Sequence, residues 1–184
     1  MDRNKIKIYS NLTQSGVILP DAKFPSKLST WETLPNTTVE LQLSANSTHY
    51  GFVQSGDLTV QCSSGEFEIQ TGMYYSIPGE ACLHVQGSGF CATRLGYSGF
   101  FSLGGPIESR GRLKYIDGCS DSLLISPVLL GDPCLNLLFL PPNTEQTAHT
   151  HPSVRTGIIV DGRGICRGPT ADVFLEPGMI FEIP

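Results

Sequence analysis

Two histidines one residue apart, His149 and His151, have the residue type and spacing in this chain that best suit chemistry. On a β-strand, side chains alternate between the two faces, so residues at this spacing project from the same face. Two imidazoles on one face can hold one metal ion between them, and histidine is the commonest protein ligand for zinc, copper, nickel and iron. The pattern therefore predicts a metal-binding pair on a strand. The alternative is a pair of surface histidines in a polar loop.

Two charged residues near this pair bear on what it could bind. Arg155 lies four residues after His151, and its guanidinium cannot ligate a metal and repels a nearby cation. It can clamp a carboxylate through two hydrogen bonds, so Arg155 is a candidate binding residue for an anionic substrate; the alternative is an exterior arginine in a surface ion pair. Glu145, four residues before His149, is the nearest carboxylate and a candidate further ligand, because most metal sites use three or four protein groups.

The elements that position these residues are predicted to be short strands. Glycine (20) and proline (13) are spread along the chain. They separate short apolar or alternating stretches, such as VELQL, LTVQC, LNLLFLP and DVFLEP. Such stretches bounded by turn residues are typical of β-strands, and many short strands favour a sandwich or a barrel. We therefore expect an all-β fold.

Two separate motifs recur at one spacing, which indicates a duplicated unit. The segment HYGFVQSG, residues 49–56, is matched by RTGIIVDG, residues 155–162. The segment GMYYSIP, residues 72–78, is matched by GMIFEIP, residues 178–184. In both cases the second copy lies 106 positions after the first. We infer a repeated unit of about 100 residues, which is an ordinary domain size.

Charge and composition exclude several classes of protein. The net charge of −5 and the isoelectric point near 5.3 argue against a nucleic-acid partner, which requires clustered basic residues. No apolar run reaches membrane-spanning length, and the polar start MDRNKIKIYS does not resemble a secretory signal. The six cysteines form no CxxC pair, so we expect reduced thiols in a cytoplasmic protein.

The spacing of these residues resembles the two sequence motifs of the cupin superfamily. His149-x-His151, then Arg155 and Gly162, fits the first motif, with Arg155 where glutamate is usual and Asn143 in place of the leading glycine. Gly178 followed by Pro184 fits the opening of the second motif. The histidine of that second motif would fall beyond Pro184, so it is the expected third metal ligand.

The resemblance implies tandem jelly-roll β-barrels, a bicupin. The expected organisation is an N-terminal arm (1–35), a first cupin barrel without the histidine pair (36–95), a connector (96–111) and a second cupin barrel (112–184). The second barrel would lack its final strands, which implies either a truncated chain or a homodimer that covers the gap. The arm is expected to pack along a barrel edge, with Trp31 as a packing anchor.

The resemblance also implies candidate activities. The first is a dioxygenase- or isomerase-like enzyme in which His149 and His151 hold divalent iron, manganese, nickel or zinc. The second is a non-catalytic sensor that binds a small molecule, and the third is a structural cupin. In the first unit His49 takes the glutamate position and His84 lies near the second motif's histidine. These two are expected either to face each other as a remnant of a site or to have separate structural roles.

Overall fold

The described part of the chain is built from strands, turns and loops. The computed structural model describes residues 6–9, 17–19, 25–151, 153–168 and 171–183, so Pro20, Pro152 and Pro184 lie outside it. Within these ranges the single helical element is a three-residue 3-10 turn at Ile116–Gly118, which confirms the all-β prediction. No helix in the described ranges is long and apolar enough to cross a membrane.

The described residues form eighteen strands. In chain order they are β1 (Lys7–Tyr9), β2 (Val17–Leu19), β3 (Ser26–Glu32), β4 (Val39–Leu43), β5 (Ser47–Ser55), β6 (Asp57–Cys62), β7 (Gly65–Gln70), β8 (Tyr74–Pro78), β9 (Ala81–Val85), β10 (Ser88–Leu95), β11 (Ser102–Gly104), β12 (Leu113–Lys114), β13 (Ser120–Ile125), β14 (Leu135–Phe139), β15 (Arg155–Ile158), β16 (Gly164–Arg167), β17 (Asp172–Leu175) and β18 (Ile180–Ile183).

The first half of the chain folds into two sheets around one core. A six-stranded sheet has the order β11-β8-β5-β10-β3-β2, and a four-stranded sheet has the order β4-β9-β6-β7. Alternation along β9 buries Ala81, Leu83 and Val85, which join a core cluster with residues from the other sheet. Each fully buried aliphatic side chain there contributes roughly 1.5–3 kcal/mol. Trp31 is 4% exposed in the same cluster, so the predicted packing anchor is confirmed.

The opposite face of the six-stranded sheet packs against the second half. Phe90 and Ala92 on β10 alternate with Cys91, which faces the first core. They form a second cluster with Ile180 of β18 and with buried leucines of β2 and β3. Strand β3 lies within the segment expected to be an arm, yet it pairs along its length with β10. A strand apolar on both faces needs covering on both sides, which explains this layering.

The sequence repeat is matched by a repeat in strand pairing. His49 pairs with Ile77 across β5 and β8, and Arg155 pairs with Ile183 across β15 and β18; both partners shift by the same 106 positions. Strands β6 and β7 correspond in the same way to β16 and β17. The left-handed glycines agree too, since φ is 82° at Gly72 and 85° at its counterpart in the second half. The two halves therefore share local architecture as well as sequence.

Short segments from outside each unit complete its sheet. Strand β11, in the expected connector, pairs with the edge of β8, and β1 pairs with the equivalent edge of β18. Strand β1 is also held by side chains, because Tyr9 and Lys7 both bond to the buried Glu182 carboxylate, at 2.6 and 3.1 Å. This agrees with the expectation that the N-terminal segment covers unpaired backbone groups at a sheet edge. A further hydrogen bond, 2.9 Å long, runs from the Gln54 amide to the Val160 carbonyl between the halves.

The second half is more open than the first. Strand β6 pairs with both β7 and β9, whereas β16 pairs, among the described residues, with β17 alone. Leu175 on β17 is consequently only half-buried, whereas its first-half counterpart, Ile69 on β7, is fully buried. The described pairing gives five separate sheets and no closed barrel. All six cysteines are free thiols, as expected.

Candidate functional site

His149 and His151 lie together in the loop between β14 and β15. The prediction that they lie on a strand is wrong, because residues 140–151 and 153–154 form no strand. The loop contains Pro141 and Pro142, and proline cannot donate a ladder hydrogen bond. Asn143 has a φ of 62°, so the position equivalent to a family glycine adopts a glycine-like conformation. The two imidazole centroids are nevertheless 4.8 Å apart, at an interplanar angle of 77°.

The surroundings of His149 fix one of its ring nitrogens. Its Nδ1 is 2.8 Å from the Thr147 carbonyl, which can only accept, so Nδ1 carries the proton when the ring is neutral. The lone pair then lies on Nε2, which is 3.5 Å from the Tyr115 hydroxyl. Thr147 is held in turn by Asp117, whose carboxylate accepts its amide at 2.6 Å. That amide donor lowers the pKa of Asp117, with a smaller contribution from His149. This pattern orients Nε2 of His149 as a ligand or acceptor.

The contact with Arg155 favours the opposite tautomer of the His151 ring. Its Nη2 is 3.4 Å from Nδ1 of His151, and a guanidinium can only donate, so this contact engages the Nδ1 lone pair. The proton of the neutral ring then lies on Nε2. Burial lowers the pKa of His151, and the positive charge of Arg155 and the neighbouring His149 lower it further. In this tautomer neither nitrogen of His151 offers a free lone pair to a metal.

Among the residues that the structure describes, no third metal ligand accompanies the histidine pair. Glu145, the candidate carboxylate, forms an ion pair with Arg167 on β16. Among the described residues, no group of three potential ligand side chains includes His149 or His151. The described residues around His149 and His151 therefore do not form a complete metal site.

The histidine pair lies outside two cavities near the second-half strands. Two cavities of about 330 Å³ each lie beside the sheet of β12, β13 and β14. One is lined by basic side chains, Arg110, Arg112 and Lys114, but by neither histidine. His149 is exposed and His151 is half-buried, so the cluster lies near the surface.

His49, the first-half counterpart of Arg155, has a structural role. It is fully buried, its Nδ1 accepts from the Thr93 hydroxyl at 2.8 Å, and its Nε2 lies 3.0 Å from Ser44 O and 3.1 Å from Gly79 O. Burial lowers the pKa of His49, although these two carbonyls act in the opposite direction. Its ring nitrogens thus bond to Thr93, Ser44 and Gly79 and not to His84. Of the two alternatives for His49 and His84, the facing pair is therefore wrong, and the alternative of separate roles holds.

His84 belongs instead to a cluster that residue spacing alone does not predict. Glu40, Cys82 and His84 lie on the outer face of the four-stranded sheet, and their ligand atoms all lie within 4.8 Å of one another. Cys82 and His84 share a face of β9, and the register places Glu40 of β4 directly opposite His84. Burial, followed by the Glu40 carboxylate, raises the pKa of the Cys82 thiol. The C-x-H spacing was visible in the sequence, but Glu40 joins it through strand pairing.

Comparison with known proteins identifies similar folds only. No protein-family model matches the chain, and a search of curated protein sequences finds no match. A protein from Pseudomonas aeruginosa described as glyoxylate-induced superposes with a TM-score of 0.60 at 15% identity, covering 98% of this chain and 82% of its own. Protein Ylba from E. coli superposes with a TM-score of 0.55 at 15% identity, covering 99% of this chain and 84% of its own.

A third solved structure, quercetin 2,3-dioxygenase from Acinetobacter baumannii, has a TM-score of 0.44 at 10% identity, covering 96% of this chain and 77% of its own. The two better matches are cupin-like, and they span nearly the whole of this chain. The fold is therefore cupin-like, as the motif resemblance implied.

Proposed function

We propose that this protein is a tandem cupin that binds a small anionic molecule in its second half. Arg155 is the anion-binding residue, and His149 and His151 are the polar groups beside it. The observation that carries the proposal is the free charge of Arg155: within the described part of the chain its guanidinium bonds to His151 and Ser153 and pairs with no carboxylate. A half-buried cation without a counter-ion favours a ligand that brings the negative charge.

The position of Arg155 on its strand supports this role. It is equivalent to His49, which lies on the core-facing side of β5 with Val53. Because side chains alternate on a strand, Arg155 lies on the same face of β15 as Gly157. The cupin-like fold binds its ligands among such inward-facing residues. The repeated register of β15 with β18 supports a tandem arrangement of two such units.

Titration calorimetry with small carboxylates, including glyoxylate and oxalate, tests the anion site. Losing a charge-assisted contact costs about 1.5–3 kcal/mol, so Arg155→Gln should weaken binding at least about tenfold. The matched control is Arg163→Gln, because Arg163 is exposed and already pairs with Glu176. Unchanged affinity in Arg155→Gln, or no binding by the parent protein to any carboxylate, would overturn the proposal.

A metal-dependent enzyme, dioxygenase- or isomerase-like, is the second candidate. The fixed tautomer of His149 supports it, because Nε2 is left with a lone pair. Arg155 is unfavourable for metal binding, because its positive charge repels a cation and its hydrogen bond occupies the Nδ1 lone pair of His151. Arg155→Glu removes both effects and adds the usual family carboxylate, so it should raise manganese or iron uptake in elemental mass spectrometry. Uptake that is equal in parent and variant, and lost in a His149→Ala/His151→Ala protein, would instead favour the enzyme.

A further inference from the structure

The outer face of the four-stranded sheet carries a set of metal-binding side chain types outside the second-half site. Strand β9 alternates, so Ala81, Leu83 and Val85 enter the core while Cys82 and His84 project outward. Strand β4 alternates in register with it and presents Glu40 on the same outer face. Glu40 is exposed, and Cys82 and His84 are half-buried, so a cation can reach all three from solvent.

The spacing of the donor atoms suits one ion. Sγ of Cys82 is 3.6 Å from Nε2 of His84. A tetrahedral zinc ion with Zn–S of about 2.3 Å and Zn–N of about 2.0–2.1 Å separates its sulfur and nitrogen ligands by about 3.5 Å. The Glu40 carboxylate completes a set in which all ligand atoms lie within 4.8 Å. Rotation of an exposed glutamate side chain can cover the remaining distance.

The cluster is held by the fold around it. Each strand also places a buried leucine, Leu41 on β4 and Leu83 on β9, in the core on the opposite face of the sheet. Gln42 donates its amide to Oε1 of Glu40 at 2.7 Å, which orients the carboxylate as an outer-shell partner does in metal sites. The ligands therefore come from two hydrogen-bonded strands of fixed register rather than from a mobile loop.

We propose that Glu40, Cys82 and His84 bind a zinc-like divalent cation on the outer surface of the first half. The ligands are a carboxylate oxygen, a thiolate sulfur and Nε2 of the imidazole, with water in the fourth position. Thiolate and imidazole together select zinc or cobalt over magnesium or calcium, which prefer oxygen. Binding displaces the thiol proton to solvent, and the two negative ligands balance the charge of the cation.

Cobalt(II), which reports thiolate ligation by its charge-transfer absorption, tests the site directly. We expect one equivalent to bind with a tetrahedral spectrum and to be displaced by zinc. Cys82→Ser should abolish the charge-transfer band, and His84→Ala should weaken binding at least about a hundredfold, more than is typical for an outer-shell change. The control Cys134→Ser alters an exposed thiol in a loop and should change nothing. Retention of the band in Cys82→Ser would overturn the proposal.

Two further measurements separate this site from the second-half site and from effects on folding. In a His149→Ala/His151→Ala protein the cobalt band should persist, and its loss would contradict the assignment of the band to a site built from Cys82 and His84. In the unaltered protein, zinc should slow alkylation of Cys82 but not of Cys134, as read by peptide mass spectrometry. Equal alkylation of Cys82 with and without zinc would refute the site without any substitution. Neither readout depends on carboxylate binding at Arg155.

Discussion

Gly51 and its repeat counterpart Gly157 allow one substitution to be compared at equivalent positions. Neither glycine has a positive φ, so alanine is acceptable to the backbone and the effect must come from packing. A Cβ at Gly51 would fall well under 3.0 Å from Cζ of Tyr75, a fully buried ring. Adding a methyl group to a packed core costs about 1–3 kcal/mol, and alanine returns about 0.4–1 kcal/mol through the unfolded chain. We expect Gly51→Ala to lose about 2 kcal/mol.

Gly157→Ala is the matched control for that substitution. Its Cβ would lie 2.7 Å from Cζ of Phe181, which is only half-buried and can turn outward. The net change there should stay below about 0.5 kcal/mol, because relief by ring movement and the unfolded-state gain offset the contact.

Urea unfolding followed by far-UV circular dichroism and by fluorescence measures both effects. Trp31, the single tryptophan, lies in the same core as Tyr75 and reports on the first half. A Gly51→Ala/Tyr75→Leu double mutant should recover at least about 1 kcal/mol relative to additivity. Equal losses at the two glycines, or zero coupling with Tyr75, would refute the idea that glycine is present to admit a cross-strand ring.

Three other predictions concern different parts of the molecule. Burial lowers the pKa of His49 below 6.5, so the unfolded chain binds the proton more readily than the folded protein does. The stability contributed by the neutral ring should therefore be fully present above pH 6.5 and should decline as the pH falls below it. Urea unfolding midpoints on either side of pH 6.5 should show this decline, and His49→Gln should show a smaller one. Glu182→Gln should weaken the attachment of β1 by about 1–2 kcal/mol; this value is kept small because Lys7 is half exposed and its ion pair with Glu182 is screened by solvent. The measurement is amide hydrogen exchange at residues 7–9, which should become faster. Exchange rates that do not change would contradict that role for the carboxylate. The expected homodimer should appear in light scattering, and Phe174→Ser should shift it toward monomer, since this ring is exposed; a parent protein that is already a compact monomer would count against it.

Much of the fold was predictable because its signals are local. Glycine turns at fixed spacing and short alternating runs identified the strands, and the recurrence of GxxxxG and GM-containing segments identified the repeat. The position of β3 was not predictable, because its pairing with β10 joins residues far apart in the chain. The strand expected at His149 does not form, because Pro141 and Pro142 cannot donate ladder hydrogen bonds and the amide of Thr147 donates to the Asp117 side chain instead of to a neighbouring strand.

In the candidate sites too, residue spacing predicts some features, whereas others depend on side-chain orientation and strand register. The proximity of His149 and His151 followed from their spacing alone, even though the predicted strand was wrong. The hydrogen bond from Arg155 to His151, which decides what that pair can bind, depends on side-chain orientation and not on spacing. The Glu40 ligand was missed because it reaches His84 only through strand register.

The hydrogen bond between Gln54 and Val160 joins positions that correspond to each other in the repeat. When identical subunits associate about a two-fold axis, a residue meets its own counterpart only beside that axis. If the two copies arose by duplication, this contact is one that a self-associating single copy would form beside its two-fold axis. In such an ancestor every mutation would appear on both sides of the interface at once. After fusion each copy could change alone, so one half could bury a histidine at the position where the other keeps an arginine.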